Sequence, residues 1–467
     1  MISLTVRQLQ EVTKGELLNQ AEGIQSRKFT GVSVDSRTLV DGNLFMALPG
    51  ENQDGHDFVG QALKKNAGAI LVEKPKAGKI LSEHKPEIPL ISVSQTKPAL
   101  ENLARFYRQR FKLPVIAVTG SNGKTTTKEM LAHTLAKKFN VLKSPDSYNT
   151  LIGTSLTIFQ LSEKTEMLVV EIGANQFGEI AHIAGLVSPS LAVILNIGPS
   201  HLEFFGSLEK VAQAKFELLE QLPKDNPVFL NMDDPLLSKR AKAEKHPVKT
   251  FAIEHEADFR AVQTIISGNG HIDFKVNQNQ IRLNMLGRHN IYNALATYAV
   301  ADHFHLSPPE IAKALESFRP ASRRMEILES GGIKIINDSY NANPASMSAA
   351  LTTLAETKTS GRKIAVLGDM LELGKESERF HRDTGRQVAE LKIDYLLAVG
   401  ELSKKIMEEA VSRKMNSKNV TTFPDAEKAG KALLKIVKPG DTVLLKGSRR
   451  MKLEQIAILL SKQHSHN

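Results

Sequence analysis

Short apolar runs rich in β-branched residues recur along this chain, and most precede stretches in which apolar residues return every three or four positions. The clearest runs are residues 115–119, 167–172 and 191–197. Strand-like runs alternating with helical periodicity predict a parallel sheet with crossover helices. Upstream, shorter strands are predicted at 31–34, 44–48, 69–72 and 90–93, around the turn signals Pro49-Gly50 and Asp54-Gly55. Downstream of Arg319-Pro320 the pattern restarts with runs at 363–367, 395–399, 420–423 and 442–445, each leading into a helical stretch. That predicts a Rossmann-like unit, although no Gly-x-Gly-x-x-Gly follows its strands. Residues 271–276 and 280–285 alternate apolar with polar, which predicts an antiparallel appendage on the central unit. The expected architecture is α/β in three domains: a small one over 1–95, a central P-loop domain over 96–318 and a Rossmann-like one over 319–467. A chain of 467 residues is long enough for about three separate cores.

The run at 115–119 opens into Gly120-Ser121-Asn122-Gly123-Lys124-Thr125-Thr126. Glycines let backbone N–H groups turn toward an anion, and the following helix adds the positive end of its dipole. Lys124 supplies a point charge and Thr125 a hydroxyl for Mg2+. Thr127, Met130, Leu131, Thr134 and Leu135 share one helical face, which predicts a helix packed on the sheet. The longer P-loop spelling would place glycine at 118, where this chain has Val118.

Three polar residues stand where parallel sheets usually carry chemistry, at or beyond the carboxyl ends of strands. Glu171 ends an apolar run, so its carboxylate must be paired, protonated or metal-bound. His201 follows the 191–197 run through Gly198-Pro199-Ser200, where either a metal-facing imidazole or a solvated loop histidine fits. Lys215 falls on the apolar stripe Leu208, Val211, Ala212, Leu218, Leu219 and Leu222 of a helix capped by Ser207. A lysine there snorkels to water, makes a buried pair or loses its charge.

Composition narrows the choice. The chain has no cysteine, which excludes disulfides and thiolate metal sites and leaves oxygen and imidazole as metal donors. The net charge of +10 is scattered among acids, with no zinc finger, RNP-type strand or basic block, so anionic small molecules are expected and nucleic acid is not. No secretory leader is expected from residues 1–12, and no apolar run is long enough to insert in a membrane. A cytoplasmic monomer is expected.

These motifs resemble the Mur ligase family, the ATP-dependent amide ligases of peptidoglycan synthesis, over essentially the whole chain. The family's shorter Gly-x-x-Gly-Lys-Thr loop accounts for Val118. The resemblance implies ATP and Mg2+ as cofactors, with Thr125 and Glu171 holding one Mg2+ on the ATP phosphates and His201 a second. It implies that Lys215, in Ala-Gln-Ala-Lys-Phe-Glu, carries a carbamate whose oxygens join the metal site. Asp35-Ser36-Arg37 resembles a UDP-binding domain, with Ser36 and Arg37 on the UDP end and Asn149-Thr150 on the UDP-sugar; Ser155 stands where the family usually has proline. Gly287-Arg288-His289-Asn290 and Arg323-Arg324-Met325 resemble the adenine-side and interdomain parts of the ATP site, to which Asn290, Arg324 and Asp338 are assigned. On its own residues, Asn290 also reads as a helix N-cap and Arg324 as a surface arginine. The motifs at 337–344, 367–374 and 446–451 resemble the branch that adds D-alanyl-D-alanine to UDP-N-acetylmuramoyl-tripeptide. The alternatives are a Mur-like ligase with another amine or acid substrate, and a nucleotide-binding module serving a protein partner.

Overall fold

The computed structural model describes residues 2–19, 23–50, 52–268 and 270–463. Within them the strands form a two-stranded ribbon and sheets of five, nine and six strands. In the five-stranded sheet, Leu44 and Met46 enter one core while Phe45 between them enters another, as strand alternation requires of a sheet covered on both faces. Two of the expected strands are shorter than their apolar runs, ending at Val32–Ser33 and Leu44–Met46. The helix Thr96–Arg108 then buries Ala99, Leu100, Leu103 and Ala104 in a core shared with Leu4 and Leu9 on one side and Val115, Leu168 and Ile183 on the other.

The nine-stranded sheet runs in the order Asn279–Leu283, His271–Val276, Phe259–Ser267, Val248–Ala252, Val228–Asn231, Leu191–Ile194, Val115–Thr119, Met167–Glu171, Val141–Lys143. The strand Val115–Thr119 lies third from one edge, with parallel neighbours on both sides. Register sets Val118 opposite Glu171, and Thr119 opposite Ile194, so three strand ends finish side by side. The chain leaves Met167–Glu171 on one side of Val115–Thr119 and returns as Leu191–Ile194 on the other. A crevice opens at such a reversal, outside the carboxyl ends of the strands.

The expected antiparallel appendage is instead the continuation of this sheet. Val248–Ala252 pairs parallel with Phe259–Ser267, which pairs antiparallel with His271–Val276. Pairing satisfies the edge of Val248–Ala252, and Ile272, Phe274 and Val276 extend the same core under the helix His289–His303. That helix also packs against Lys124–Leu135, with Ile291, Ala294 and Leu295 meeting the core that holds Met130 and Leu131.

The six-stranded sheet has the order Glu326–Ser330, Ile333–Asn337, Thr442–Lys446, Lys363–Gly368, Tyr395–Val399, Val420–Phe423, parallel except for its first pair. The opening hairpin was not among the expected strands. It turns at Gly331-Gly332, both at positive φ, a tight connection between alternating strands.

Candidate active site

The phosphate-loop fold follows from its glycines. Gly123 has φ +85°, and a Cβ there would sit 2.3 Å from Asn293 Oδ1, so only glycine fits. It caps the helix Lys124–Leu135, whose predicted inner face Thr127, Met130, Leu131, Thr134 and Leu135 is buried. Ser121 and Asn122 are laced to the neighbouring strand end. Ser121 Oγ donates to the Gly198 carbonyl at 3.0 Å, and Asn122 N donates to Asn196 Oδ1 at 2.9 Å.

Lys124 Nζ folds back on the loop, donating to the carbonyls of Gly120 at 2.7 Å and Ser121 at 3.4 Å. Burial holds its pKa below the usual lysine range, with Glu171 opposing and Arg324 adding to the effect. Glu171 is 1% exposed. Its two oxygens are gripped separately: Thr125 Oγ1 donates to Oε2 at 2.5 Å and Asn149 Nδ2 donates to Oε1 at 2.9 Å. The threonine and carboxylate oxygens thus converge beside the phosphate loop, a hard donor pair suited to Mg2+.

A cavity of about 970 Å³ collects most of the predicted residues. Ser121 to Thr126, Asn149, Thr150, Glu171, His201, Lys215, Asn290, Arg324 and Asp338 all line it. Gly120 lies behind the loop as a carbonyl partner of Lys124. Ser36 and Arg37 do not line this cavity. Ser36 is buried and donates to Gln61 Oε1 at 2.7 Å, whereas the exposed Arg37 pairs with Asp35 at 2.6 Å. Thr150 caps the helix Leu151–Ile158 by accepting from Gly153 N.

Lys215 does not snorkel. It is 4% exposed on the helix Leu208–Glu220, and none of its hydrogen-bond or ion-pair partners is found among the described residues. Burial first, and the nearby Lys124 second, hold its pKa well below the usual 10.5. Ser207 caps the helix as expected, but Leu208 at the head of the predicted stripe is 39% exposed, since it precedes the first turn that meets the core. His201 stands in left-handed backbone before the short helix Leu202–Phe205, and its Nδ1 lies 2.6 Å from Glu372 Oε2. Burial lowers its pKa, and Glu372 works in the opposite direction. Among the described residues no group of three or more His, Asp or Glu side chains is assembled for a metal.

Asn290 is not a helix cap. It lies inside the helix with Nδ2 donating to the Leu286 carbonyl at 2.7 Å, while its Oδ1 accepts from Asn293 Nδ2 at 2.9 Å. Asn293 Oδ1 in turn accepts from Thr127, which ties Asn290 to the phosphate-loop helix. Arg324 is half-buried, with its guanidinium 3.9 Å from the centre of the Tyr340 ring, so it is no free surface arginine. Asp338 accepts from Lys446 Nζ at 2.5 Å and from Met325 N at 3.1 Å.

Several cavity residues carry no role in the sequence reading. Asn343 Nδ2 donates to Asn122 Oδ1 at 2.8 Å, Tyr340 meets the Ser147 hydroxyl, and Glu372 reaches His201. Their motifs were visible, but which residue crosses to the central sheet depends on how the two units dock. Asp233 was also missed, because the strand Val228–Asn231 before it was not expected. Its carboxylate accepts from three successive backbone N–H groups, Ile253 to His255, and from the Tyr292 hydroxyl.

Protein-family models for the "Mur ligase family, catalytic domain", the "Mur ligase middle domain" and the "Mur ligase, glutamate ligase domain" match residues 28–108, 118–301 and 323–449. The UDP-N-acetylmuramoyl-tripeptide--D-alanyl-D-alanine ligase of Bacillus subtilis is 36% identical over 459 residues, covering 98% of both chains. This chain belongs to the Mur ligase family. The enzyme of the same name from Escherichia coli is 34% identical to this Mur ligase over 99% of each chain. A crystal structure of MurF from Acinetobacter baumannii superposes with a TM-score of 0.86 at 30% identity, over 99% of each chain. MurF ligase from Thermotoga maritima in complex with ADP superposes with a TM-score of 0.80 at 28% identity, covering 94% of this chain and 98% of that one. No helix among the described residues is long and apolar enough to cross a membrane.

Proposed function

We propose that this Mur ligase joins D-alanyl-D-alanine to UDP-N-acetylmuramoyl-tripeptide, converting ATP to ADP and phosphate, as a cytoplasmic monomer in peptidoglycan precursor synthesis. The observation that carries the reading is one cavity. It sets the phosphate loop, the Thr125–Glu171 pair and the buried Lys215 opposite Asp338, Tyr340 and Arg449. We divide the labour among domains over 1–95 for the UDP end, 96–318 for ATP and 319–467 for the incoming amine.

Lys124 leaves the loop carbonyls for the β- and γ-phosphates, and the backbone N–H groups from Gly123 to Thr126 cradle them, those of Ser121 and Asn122 being held by Asn196. Thr125 and Glu171 would hold one Mg2+, and His201 and Lys215, as a carbamate, would hold a second; the ions would supply neutralisation of phosphate charge. A neutral amine is the form that adds CO2, and the burial that lowers the Lys215 pKa favours that form, which suits it to become a carbamate with release of a proton. Asn290 and Arg324 face the nucleotide, and Asp338 positions Lys446 beside it. Ser36 and Arg37 recognise the UDP end. Asn149 keeps its side-chain carbonyl and Thr150 its hydroxyl proton for the sugar-peptide, since their other valences are used internally.

The tripeptide carboxylate attacks the γ-phosphorus and ADP leaves, giving an acyl phosphate. The amine of D-alanyl-D-alanine then attacks the carbonyl carbon, and collapse of the tetrahedral adduct expels phosphate. Negative charge builds in both steps, so Lys124 acts electrostatically and no covalent protein nucleophile is required. To test this, phosphate release is measured with Mg-ATP and each UDP-N-acetylmuramoyl-peptide, adding D-alanyl-D-alanine or single amino acids. Release that needs the tripeptide and the dipeptide together is expected; equal release with a single amino acid would overturn the substrate assignment.

A further inference from the structure

Lys128 lies one helical turn past the phosphate loop and is fully buried. An ammonium withdrawn from water is costly unless its protons find acceptors, and this one finds three. Nζ donates to the carbonyl of Ser144 at 2.6 Å and to that of Asp146, and it lies 3.0 Å from Glu129 Oε1. Both carbonyls belong to the loop after the strand Val141–Lys143. Methionine would fill a similar volume with no charge to desolvate, so packing alone does not account for a lysine here.

The same loop touches the active site at three points. Asn149 holds Glu171 Oε1, Ser144 Oγ accepts from Glu171 N at 3.4 Å, and Ser147 meets Tyr340. Asp146, whose carbonyl Lys128 holds, has φ +40°, a conformation that a non-glycine residue keeps only when its surroundings impose it. We propose that Lys128 is a positioning residue, a strut that fixes the acceptor-side loop to the nucleotide helix. Glu171 is then gripped between Thr125 on one side and Asn149 on the other at a set separation. What the two sides bind rests on the ligase reading; the strut itself does not.

The first test therefore needs no catalysis. Hydrogen exchange is followed on the full chain, wild type and Lys128→Met, without ligands. Amides of residues 144–150 are expected to exchange roughly tenfold faster in the variant while those of 130–135 keep their protection. Unchanged exchange at 144–150 would overturn the proposal whether or not the protein proves to be a ligase. The second test is a double-mutant cycle with Asn149→Ala. Lys128→Met is expected to lower kcat roughly tenfold with the KM for ATP within about twofold, and to cost nothing further in the Asn149→Ala background. Losses that multiply, or a KM for ATP that rises in step with the fall in kcat, would contradict it. Should Lys128→Met not accumulate folded, Lys128→Gln takes its place, and the same outcomes decide.

Discussion

At Gly123 the backbone and a neighbouring side chain make the same demand, left-handed φ and no Cβ. Gly123→Ala is expected to cost roughly 1–3 kcal/mol of stability from backbone strain alone, and to weaken nucleotide binding as Asn293 is pushed aside. Thermal unfolding with and without Mg-ATP checks both. Lys124→Ala is expected to keep the fold and lower turnover by roughly a hundredfold to a thousandfold, the usual effect of losing one charge contact to the transition state. Near-wild-type turnover would remove Lys124 from its assigned role. The glycines, Lys124 and Thr125 were legible because their chemistry is local, set by spacing within one turn. The burial of Lys215 with no partner among the described residues was not, because periodicity places it on the inner face without saying whether its amine reaches water. Arg37 shows the converse: its motif was visible, but its ion pair with Asp35, two residues away, appears only in three dimensions.

Elements buried on both faces announced themselves as continuous apolar runs, and the strands at 115–119 and 395–399 fall where expected; the edge strand Val420–Phe423 also falls where expected, although it is only partly buried. The hairpin Glu326–Ser330 and Ile333–Asn337 carries charges at Glu326, Glu329 and Lys334 that break up its apolar signal, since it stands at a sheet edge. The helix bearing Lys215 offers a sharp contrast of outcomes. A lysine whose stem merely packs predicts an active Lys215→Ala, whereas a carbamate predicts near-complete loss, partly restored by added acetate or formate and not by a small amine. At the end of the strand Val228–Asn231, burial works against the charged form of Asp233, but the N–H groups of Glu254 and Ile253 and the His255 side chain outweigh it and hold the pKa down to about 2. The folded value lies below the unfolded 3.8, so this carboxylate stabilises the fold fully above pH 3.8 and less as pH falls from there toward 2. Asp233→Asn is expected to cost about 2 kcal/mol at pH 7 and clearly less at pH 3, read from urea midpoints.

Across the whole molecule, the third unit meets the second through Asn343 on Asn122, Tyr340 on Ser147, and Glu372 on His201, while Glu203 N donates to the Glu372 carbonyl at 3.1 Å. These contacts sit around the cavity, whereas Lys358 N donates to the Gly268 carbonyl at 3.1 Å away from it; on the proposed mechanism, docking around the cavity would help shield an acyl phosphate from water. Asn343→Ala is expected to leave nucleotide binding within about twofold and to lower the ligation rate roughly tenfold, as closure loses one of its bonds at the phosphate loop. Binding of an ATP analogue set beside product formation separates the two effects. The most direct test follows oxygen. UDP-N-acetylmuramoyl-tripeptide labelled with 18O in its terminal carboxylate is ligated with unlabelled ATP, and the released phosphate is weighed. One 18O per phosphate is predicted, with the other retained in the new amide; phosphate free of label, or AMP and pyrophosphate in place of ADP and phosphate, would contradict activation of the carboxylate as an acyl phosphate.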